Sequence, residues 1–172
     1  HPDLQVSGSI TLNGSTPSGN GSPIASSGHG TNCAGVVAAR YNNGLGVAGV
    51  AGNCRIMSVA LQNFTDEEIA AGINWAADNG ARVINISRQF RPVFSQTSKD
   101  KIDAAIAYAL GQGVVLCIAA GNSNGAIQYP ATHQNVIAVG ASDQADNRPA
   151  ASNFGPNISV VAPGVAITTT GI

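Results

Sequence analysis

The stretch SKDKIDAAIAYALGQGVVLCIAAGN, residues 98 to 122, joins a helical pattern to a strand pattern through a short glycine turn. From Ser98 to Leu110 the apolar residues recur at helical spacing, and the Gly111–Gly113 segment that follows ends the helix. Val114–Ala119 is a continuous apolar run, which is typical of a strand buried on both faces of a parallel sheet. The stretch therefore predicts the second half of a βαβ unit.

The same alternation of helix and strand continues in both directions from this stretch. A capping box, Thr65-Asp-Glu-Glu68, opens another helix that Gly80 closes. Strands that alternate with helices of this length need crossover connections, so the sheet is parallel and covered by helices on both faces. We predict an α/β fold in a single domain spanning residues 1–172. The remaining strand predictions are Arg55–Leu61, Arg82–Ile86, Val136–Gly140 and Ile158–Val161.

The residues before the first helix have a different composition. Residues 4–28 are rich in Gly, Ser, Thr, Pro and Asn, which is typical of a surface loop, and one short strand is predicted near Gly8–Leu12. Since the chain starts at His1 and not at Met, we expect it to be a processed or cut piece of a longer polypeptide.

The overall composition favours a compact protein and excludes several classes of partner. About 44% of the residues are hydrophobic and 10% charged, and the formal net charge is -1. Nucleic acid is therefore not an expected partner, because phosphate binding needs clustered Lys and Arg. A membrane is not expected either, since no apolar stretch reaches the length of a span. Cys33, Cys54 and Cys117 lack zinc-site spacing, and their odd number predicts at least one thiol that is free or paired with another chain.

His29 lies between two glycines, where a loop meets an apolar helix. A helix N-terminus disfavours the imidazolium, so a histidine there keeps its basic form, and the glycines leave room for a substrate backbone. The alternative is a structural histidine. Cys33 lies four residues later and can contact His29, either as a thiol nucleophile or as a small apolar residue. Because the helix is apolar on all sides, we expect it to be buried.

Polar residues follow two predicted strands at their carboxyl ends, where α/β sheets place their sites. The run Cys117–Asn122 ends in Ala-Gly-Asn, and Asn85-Ile-Ser87 lies at the end of another strand. The Asn122 amide can donate to a developing oxyanion, and Gly121 permits close backbone approach. The alternative is turn chemistry, Gly-Asn-Ser-Asn. The residues favour acyl transfer, although the pattern alone contains no nucleophile with a matching base.

Several segments together resemble the subtilisin-like serine protease family. His29-Gly30-Thr31 followed by Cys33-Ala34-Gly35 is similar to the family's HGT-x-x-AG motif, with a Cys as in the proteinase K branch. The resemblance runs in the family's order from His1-Pro-Asp-Leu4 to Gly164. The other matching positions are Asn43, Gly46, Val47, Gly49, Val50, Ile73–Ala76, Val83–Ser87, Ala119–Asn122, Tyr129–Ala131, Val136–Gly140, Ala151–Ser152 and Val161–Gly164.

The resemblance implies a three-layer fold with a mostly parallel sheet and helices on both faces, and it implies peptide-bond hydrolysis by a secreted protein. By it, His29 would be the general base, and Asn122 would donate to the oxyanion. Peptide or protein substrates would be bound by the main chain of Ser87 and by a pocket lined by Ala119, Ala120 and Gly121.

The resemblance also implies a structural calcium site in the loop Tyr41–Val47. In the family an Asp, an Asn side chain and backbone carbonyls surround Ca²⁺, which is the oxygen ligation that calcium prefers. The implied ligands are Asp3, Tyr41, Asn43, Leu45 and Val47. The family's site also uses an N-terminal ligand that has no counterpart here, and the alternative is an ordinary Asn-Gly turn.

Two of the family's catalytic motifs have no counterpart in these residues: the Asp before the HPDL element and the Ser of a GTSMA-type motif beyond the APG element. In addition, Ser87-Arg-Gln-Phe90 stands where the family usually has Ser-Leu-Gly-Gly, which places Gln89 and Phe90 at the substrate groove. We therefore expect a domain incomplete at both ends and inactive alone, with apolar surface exposed on the sheet and around Val36 and Val37. This surface is expected to be covered by rearrangement, by self-association or by a complementing chain. The alternatives are one chain of a split protease and a non-catalytic scaffold that binds peptides or partners.

Overall fold

The computed structural model of the chain describes residues 1–22, 28–88 and 94–171. Its contacts divide the chain into two compact units, His1–Gly72 with Thr168–Ile172, and Ile73–Ile167. The single domain over residues 1–172 stays a prediction. In chain order the elements are β1 (Val6–Asn13), β2 (Thr16–Gly19), α1 (His29–Ala38), β3 (Ile56–Leu61), α2 (Asp66–Asp78), β4 (Val83–Ile86), α3 (Gln96–Gly111), β5 (Val115–Ala119), β6 (Ile137–Ser142) and β7 (Val160–Pro163).

The second unit contains a four-stranded sheet in the order β4-β5-β6-β7, and all of its strand pairs are parallel. The helix α3 precedes β5 and packs against it, as the βαβ pattern predicted. This helix begins at Gln96, two residues before the predicted start, because the Ser95 hydroxyl accepts a hydrogen bond from the Ser98 amide at 3.1 Å and caps the first turn.

The two faces of this sheet differ in burial. Leu116 and Ile118 of β5 are each 1% exposed, and α3 contributes the fully buried Ile102 and Ile106. Val83 and Val115, which pair across β4 and β5, are 60% and 43% exposed. Burial on both faces is therefore absent on the face that carries the two valines, where an incomplete domain was expected to expose apolar surface of the sheet. Successive strand residues point to opposite faces, and here only alternate residues are buried.

The first unit contains a three-stranded sheet in the order β2-β1-β3, with β1 antiparallel to β2 and parallel to β3. The strand predicted near Gly8–Leu12 is confirmed as part of β1, whereas the prediction of surface loop is wrong for β2, which pairs with β1 in a hairpin around Gly14 at φ 60°. Ile10 and Leu12 are 6% and 2% exposed, so alternating apolar residues bury one face of β1 despite the polar composition. Residues 23–27 lie outside the described part of the chain.

One half of the predicted capping box of α2, the bond to the Thr65 hydroxyl, is confirmed, and the Glu68 side chain accepts from other amides. The Glu68 amide donates to the Thr65 hydroxyl at 3.2 Å. The Glu68 carboxylate is fully buried and accepts hydrogen bonds from the amides of Phe64 at 2.7 Å, Asn63 at 2.9 Å and Gly14 at 3.1 Å. One side chain therefore links the start of α2 to the turn of the β1–β2 hairpin.

Candidate active site

His29 is the first residue of α1, and its side chain is exposed. The N-cap is Gly28, whose φ of 59° lies in the left-handed region that favours glycine. The Gly28 carbonyl accepts a hydrogen bond from the Asn32 amide at 2.9 Å. A β-carbon on Gly30 would meet no atom within 4 Å, so the surface beside the imidazole is open. Both glycines thus present His29 to solvent, the first through its conformation and the second through its lack of bulk.

Burial of α1 is confined to one side. Gly35 and Ala38 are buried, whereas Val36 and Val37 are 40% and 38% exposed, as expected for this helix in an incomplete domain. The buried side faces Thr169 and Thr170, whose hydroxyl oxygens lie where a β-carbon on Gly35 would stand. The physical reason for the glycine is therefore close packing against these two threonines, which no local sequence pattern indicated.

The Cys33 sulfur lies 3.7 Å from Nε2 of His29, as expected for residues four apart on a helix. Cys33 is half-buried, and it is a free thiol, as are Cys54 and Cys117. The structure confirms that at least one thiol is free. It brings the thiol and the imidazole together, and both interpretations of Cys33 stay predictions.

The segment after β5 carries the predicted oxyanion donor. Ala120 is 3% exposed, and its amide extends the sheet by donating to the Val139 carbonyl at 2.9 Å. Gly121 is buried at φ 106°, a conformation that requires glycine, and Asn122 is exposed immediately after it. Gly121 therefore turns the chain out of the sheet and places Asn122 at the exposed carboxyl end of β5.

Asn153 is a site residue that the sequence analysis missed. It is 2% exposed, and its Oδ1 accepts hydrogen bonds from the amides of Ser123 at 2.8 Å and Gly125 at 3.1 Å. Its Nδ2 donates to the Ala120 carbonyl at 2.9 Å. Thirty-three positions separate Ala120 from Asn153, and no periodicity or turn signal marks such a distant contact.

The predicted substrate-binding residues lie at the carboxyl end of two strands of the second unit's sheet. Because Ile86 pairs with Ile118 in parallel register, the next residues, Ser87 and Ala119, lie at the same end of the sheet. The half-buried Ser87 accepts a hydrogen bond from Nδ2 of Asn85 at 2.8 Å. Ser87, Ala119, Ala120, Gly121 and Asn122 are thus collected at the carboxyl end of β4 and β5. Gln89 and Phe90 lie outside the described residues.

The predicted calcium loop surrounds a buried carboxylate in the first unit. Asp3 is fully buried, with Oδ1 accepting from Nδ2 of Asn43 at 2.7 Å and Oδ2 accepting from the Val47 amide at 3.1 Å. The bond from Asn43 lowers the pKa of Asp3, burial opposes this, and the bond from Val47 lowers it further. Tyr41, Asn43, Leu45 and Val47 line an open cavity of about 330 Å³ in this loop.

These residues form a donor set that fits a hard cation. A buried, ionised carboxylate, an Asn amide oxygen and loop carbonyls are oxygen ligands of the kind that calcium prefers, and each accepting oxygen keeps a second lone pair. Within residues 1–22, 28–88 and 94–171, no group of three or more His, Cys, Asp or Glu side chains is arranged to hold a metal ion. None of the helices among these described residues has the length and hydropathy of a membrane span.

Comparisons with known proteins extend over almost the whole chain. An alkaline protease of Alkalihalobacillus alcalophilus is 38% identical over 178 residues, which cover 99% of this chain and 43% of the relative. Subtilisin Savinase of Lederbergia lenta is 37% identical, with 99% and 61% covered. Thermitase of Thermoactinomyces vulgaris is 38% identical, with 99% and 60% covered. The chain thus spans about half the length of the curated relatives it matches.

Solved structures and a family model agree with these relatives. A protease of Pseudoalteromonas arctica PAMC 21717 superposes with a TM-score of 0.72 at 36% identity, covering 81% of this chain and 44% of that one. A cold adapted subtilisin-like serine proteinase gives 0.75 at 27% identity, with 95% and 58% covered. The subtilisin-like α/β fold is therefore confirmed. The model of the subtilase family, peptidase S8, matches residues 1–171, and the chain belongs to that family.

Proposed function

We propose that this chain is the part of a subtilisin-like serine endopeptidase domain that carries the general base, His29, and the oxyanion donor, Asn122. The observation that carries the proposal is the placement of Asn122 directly after β5, exposed beyond a buried glycine in a segment held by Asn153. Family membership supports it, and so does the exposed position of His29 at the start of α1.

In this function His29 takes the proton from a serine hydroxyl as that oxygen attacks the scissile carbonyl, and later gives it to the leaving amine. The Asn122 amide donates a hydrogen bond to the carbonyl oxygen as negative charge develops on it. In subtilisin itself, where the effect was measured, losing such an asparagine lowers kcat by about 10²- to 10³-fold. Asn122 thereby stabilises the transition state more than the bound substrate.

Substrate recognition in this proposal is by strand addition. β4 is an edge strand of the second unit's sheet, and Ser87 follows it, so an extended peptide could form main-chain hydrogen bonds there. Ala119, Ala120 and Gly121 have little or no side chain, which leaves room for the substrate side chain before the scissile bond. Peptides and proteins are the proposed substrates, and the proposed location is outside the cell.

The serine nucleophile and the carboxylate that orients His29 are proposed to come from polypeptide outside these 172 residues. The isolated chain is then expected to be inactive and to associate with itself or with a complementing segment. Within the first unit, the loop Tyr41–Val47 and Asp3 are proposed to bind a structural Ca²⁺.

The test compares two forms of the protein, the isolated chain and the product of the full coding sequence, with a peptide p-nitroanilide as substrate. Only the full-length form should turn over, and a serine-directed phosphonate should block it. His29→Ala should lower kcat by about 10⁴-fold or more, whereas the matched control His133→Gln should not.

Other outcomes distinguish the alternatives. Phosphonate-sensitive turnover by the isolated chain contradicts its proposed inactivity. Activity that needs a separately encoded second polypeptide indicates a split protease. Peptide binding without turnover in either form, unaffected by His29→Ala, indicates a non-catalytic scaffold.

A further inference from the structure

We propose that Asn153 is the positioning residue of the oxyanion donor, holding the segment Ala120–Gly125 so that the Asn122 amide meets the developing charge. This inference rests on the proposed function and adds a residue that acts through Asn122 without contacting the substrate.

Four hydrogen bonds from this single residue bracket Asn122. On one side the Asn153 backbone amide donates to the Gly121 carbonyl at 2.9 Å, and Nδ2 donates to the Ala120 carbonyl at 2.9 Å. On the other side Oδ1 accepts from the amides of Ser123 at 2.8 Å and Gly125 at 3.1 Å. The backbone before and after Asn122 is therefore fixed to one buried residue, through three side-chain bonds and one backbone bond.

The segment needs such a partner because it has left the sheet. Ala120 makes the last ladder hydrogen bond of this strand, and Gly121 at φ 106° and Asn124 at φ 51° turn the chain sharply. Backbone amides that are not paired in a ladder must find other acceptors, and Oδ1 of Asn153 accepts hydrogen bonds from two such amides. Without it the amides of Ser123 and Gly125 and the Ala120 carbonyl would lose these partners, and we infer that the position of Asn122 would change with them.

The hydrogen bonds on both sides of Asn122 require an amide side chain at position 153. This side chain accepts two hydrogen bonds through its oxygen and donates one through its nitrogen, a combination that Asn provides in this geometry. Aspartate has the same shape but no donor, so it would face the Ala120 carbonyl with a second oxygen and bury a charge. Leucine has the same size and neither function. The aspartate substitution therefore replaces the donor by a charged acceptor, and the leucine substitution removes all of the polar contacts of the side chain.

Asn153 is itself held rigidly. The preceding Ser152 accepts the Ala141 amide of β6 at 3.0 Å through its hydroxyl, and the Phe154 amide donates to the Gly125 carbonyl at 2.9 Å. The Arg148 guanidinium donates to the Ser152 carbonyl at 2.6 Å and to Oδ1 of Asn124 at 3.0 Å. These hydrogen bonds connect the segment that carries Asn122 to the sheet, as an accurately placed catalytic group requires.

The experiment is a double-mutant cycle in the full-length enzyme, with active-site titration so that kcat refers to folded, competent molecules. Asn153→Asp and Asn153→Leu are each made alone and together with Asn122→Leu, and Asn157→Asp is the matched control at an exposed asparagine. We expect both Asn153 substitutions to lower kcat by about 10- to 100-fold at unchanged KM, since a misplacement of about 1 Å costs on that order. In the Asn122→Leu background they should lower kcat no further.

Three results would overturn the inference. An equal loss of kcat in both backgrounds would mean that Asn153 acts independently of Asn122. A change in KM with kcat preserved would mean a role in ground-state binding. An enzyme slowed by Asn122→Leu and indifferent to both Asn153 substitutions would remove this inference alone. In contrast, a protein without turnover, or with turnover insensitive to Asn122→Leu, would remove the proposed function and this inference with it.

Discussion

The Thr170 hydroxyl donates a hydrogen bond to the carbonyl oxygen of Thr31 at 2.8 Å, although 139 positions separate the two residues. The neighbouring Thr169 hydroxyl donates to the Asn32 carbonyl at 2.6 Å. Both carbonyls belong to the first turns of α1, which begins with His29. Distant residues of the first unit thus fix the end of the helix that presents the proposed general base.

Gly35→Ala should destabilise the chain because its methyl group would overlap the hydroxyls of Thr169 and Thr170 and approach the Thr170 backbone. Overpacking of this kind costs about 1–3 kcal/mol. The matched control on the same helix is Gly30→Ala, which meets no atom within 4 Å and should stabilise by about 0.5–1 kcal/mol. The free energy of unfolding in urea measures both, and equal shifts in the same direction would contradict the packing described here.

Glu68→Gln should destabilise the chain although it changes only one oxygen to NH₂. The fully buried carboxylate accepts from the amides of Gly14, Asn63 and Phe64, and an NH₂ group would face at least one of these donors without an acceptor. The expected loss is about 1.5–3 kcal/mol. Glu67→Gln, at an exposed position in the same helical turn, removes the same charge and should cost less than 1 kcal/mol. Matching losses from the two variants would contradict a special role for Glu68.

The helices and the parallel strands of the second unit could be predicted because their signals are local. The apolar spacing of α3, the run that became β5 and the capping box at Thr65 each lie within a few residues of the chain. The role of Gly80 was also recognisable. It ends α2 at φ 85°, and there the Gly80 amide donates a hydrogen bond to the Ala77 carbonyl and the Ala81 amide donates one to the Ala76 carbonyl.

The features that were missed depend on contacts between distant segments. The segment Thr16–Gly19 has a loop-like composition, and its antiparallel pairing with β1 is what makes it the strand β2. In the sequence Asn153 resembles an ordinary turn asparagine, and only the fold brings it into contact with the segment that carries Asn122. The positions of His29 and Asn122 on their elements were recognised through family motifs, whereas the residues that hold those elements were not.

Asp3 should make the stability of the chain depend on acid pH. Its pKa is lowered from the ordinary value of 3.8 by the Asn43 amide, so its ionised form stabilises the fold above that value. This contribution is lost as the pH falls through the lower, folded-state pKa. Urea unfolding between pH 6 and pH 2 should therefore give a shallower pH dependence for Asp3→Asn than for the wild type. Asp146→Asn is the control, because Asp146 is exposed and its φ of 61° suits asparagine.

The same pair of variants tests the proposed calcium site. Added Ca²⁺ should raise the urea midpoint of the wild type and of Asp146→Asn, since a ligand that binds only the folded state stabilises it. EDTA should reverse the increase. Asp3→Asn should lose most of the response, because the only charged ligand of the proposed set is then neutral. A calcium response that is intact in Asp3→Asn would place the ion elsewhere.

Cys33→Ala in the full-length enzyme should leave kcat close to the wild-type value, whereas His29→Ala should lower it by about 10⁴-fold or more. The reason is that the proposed mechanism uses a serine nucleophile, so the Cys33 sulfur, 3.7 Å from Nε2 of His29, serves as a small apolar neighbour of the ring. Alkylation of Cys33 cannot decide between the two interpretations, because a group attached so near the imidazole would block it in either case. Alanine removes the thiol without adding bulk, and Cys54→Ala, at an exposed thiol, is the matched control. A loss from Cys33→Ala as large as that from His29→Ala would identify the thiol as the nucleophile and overturn the serine mechanism.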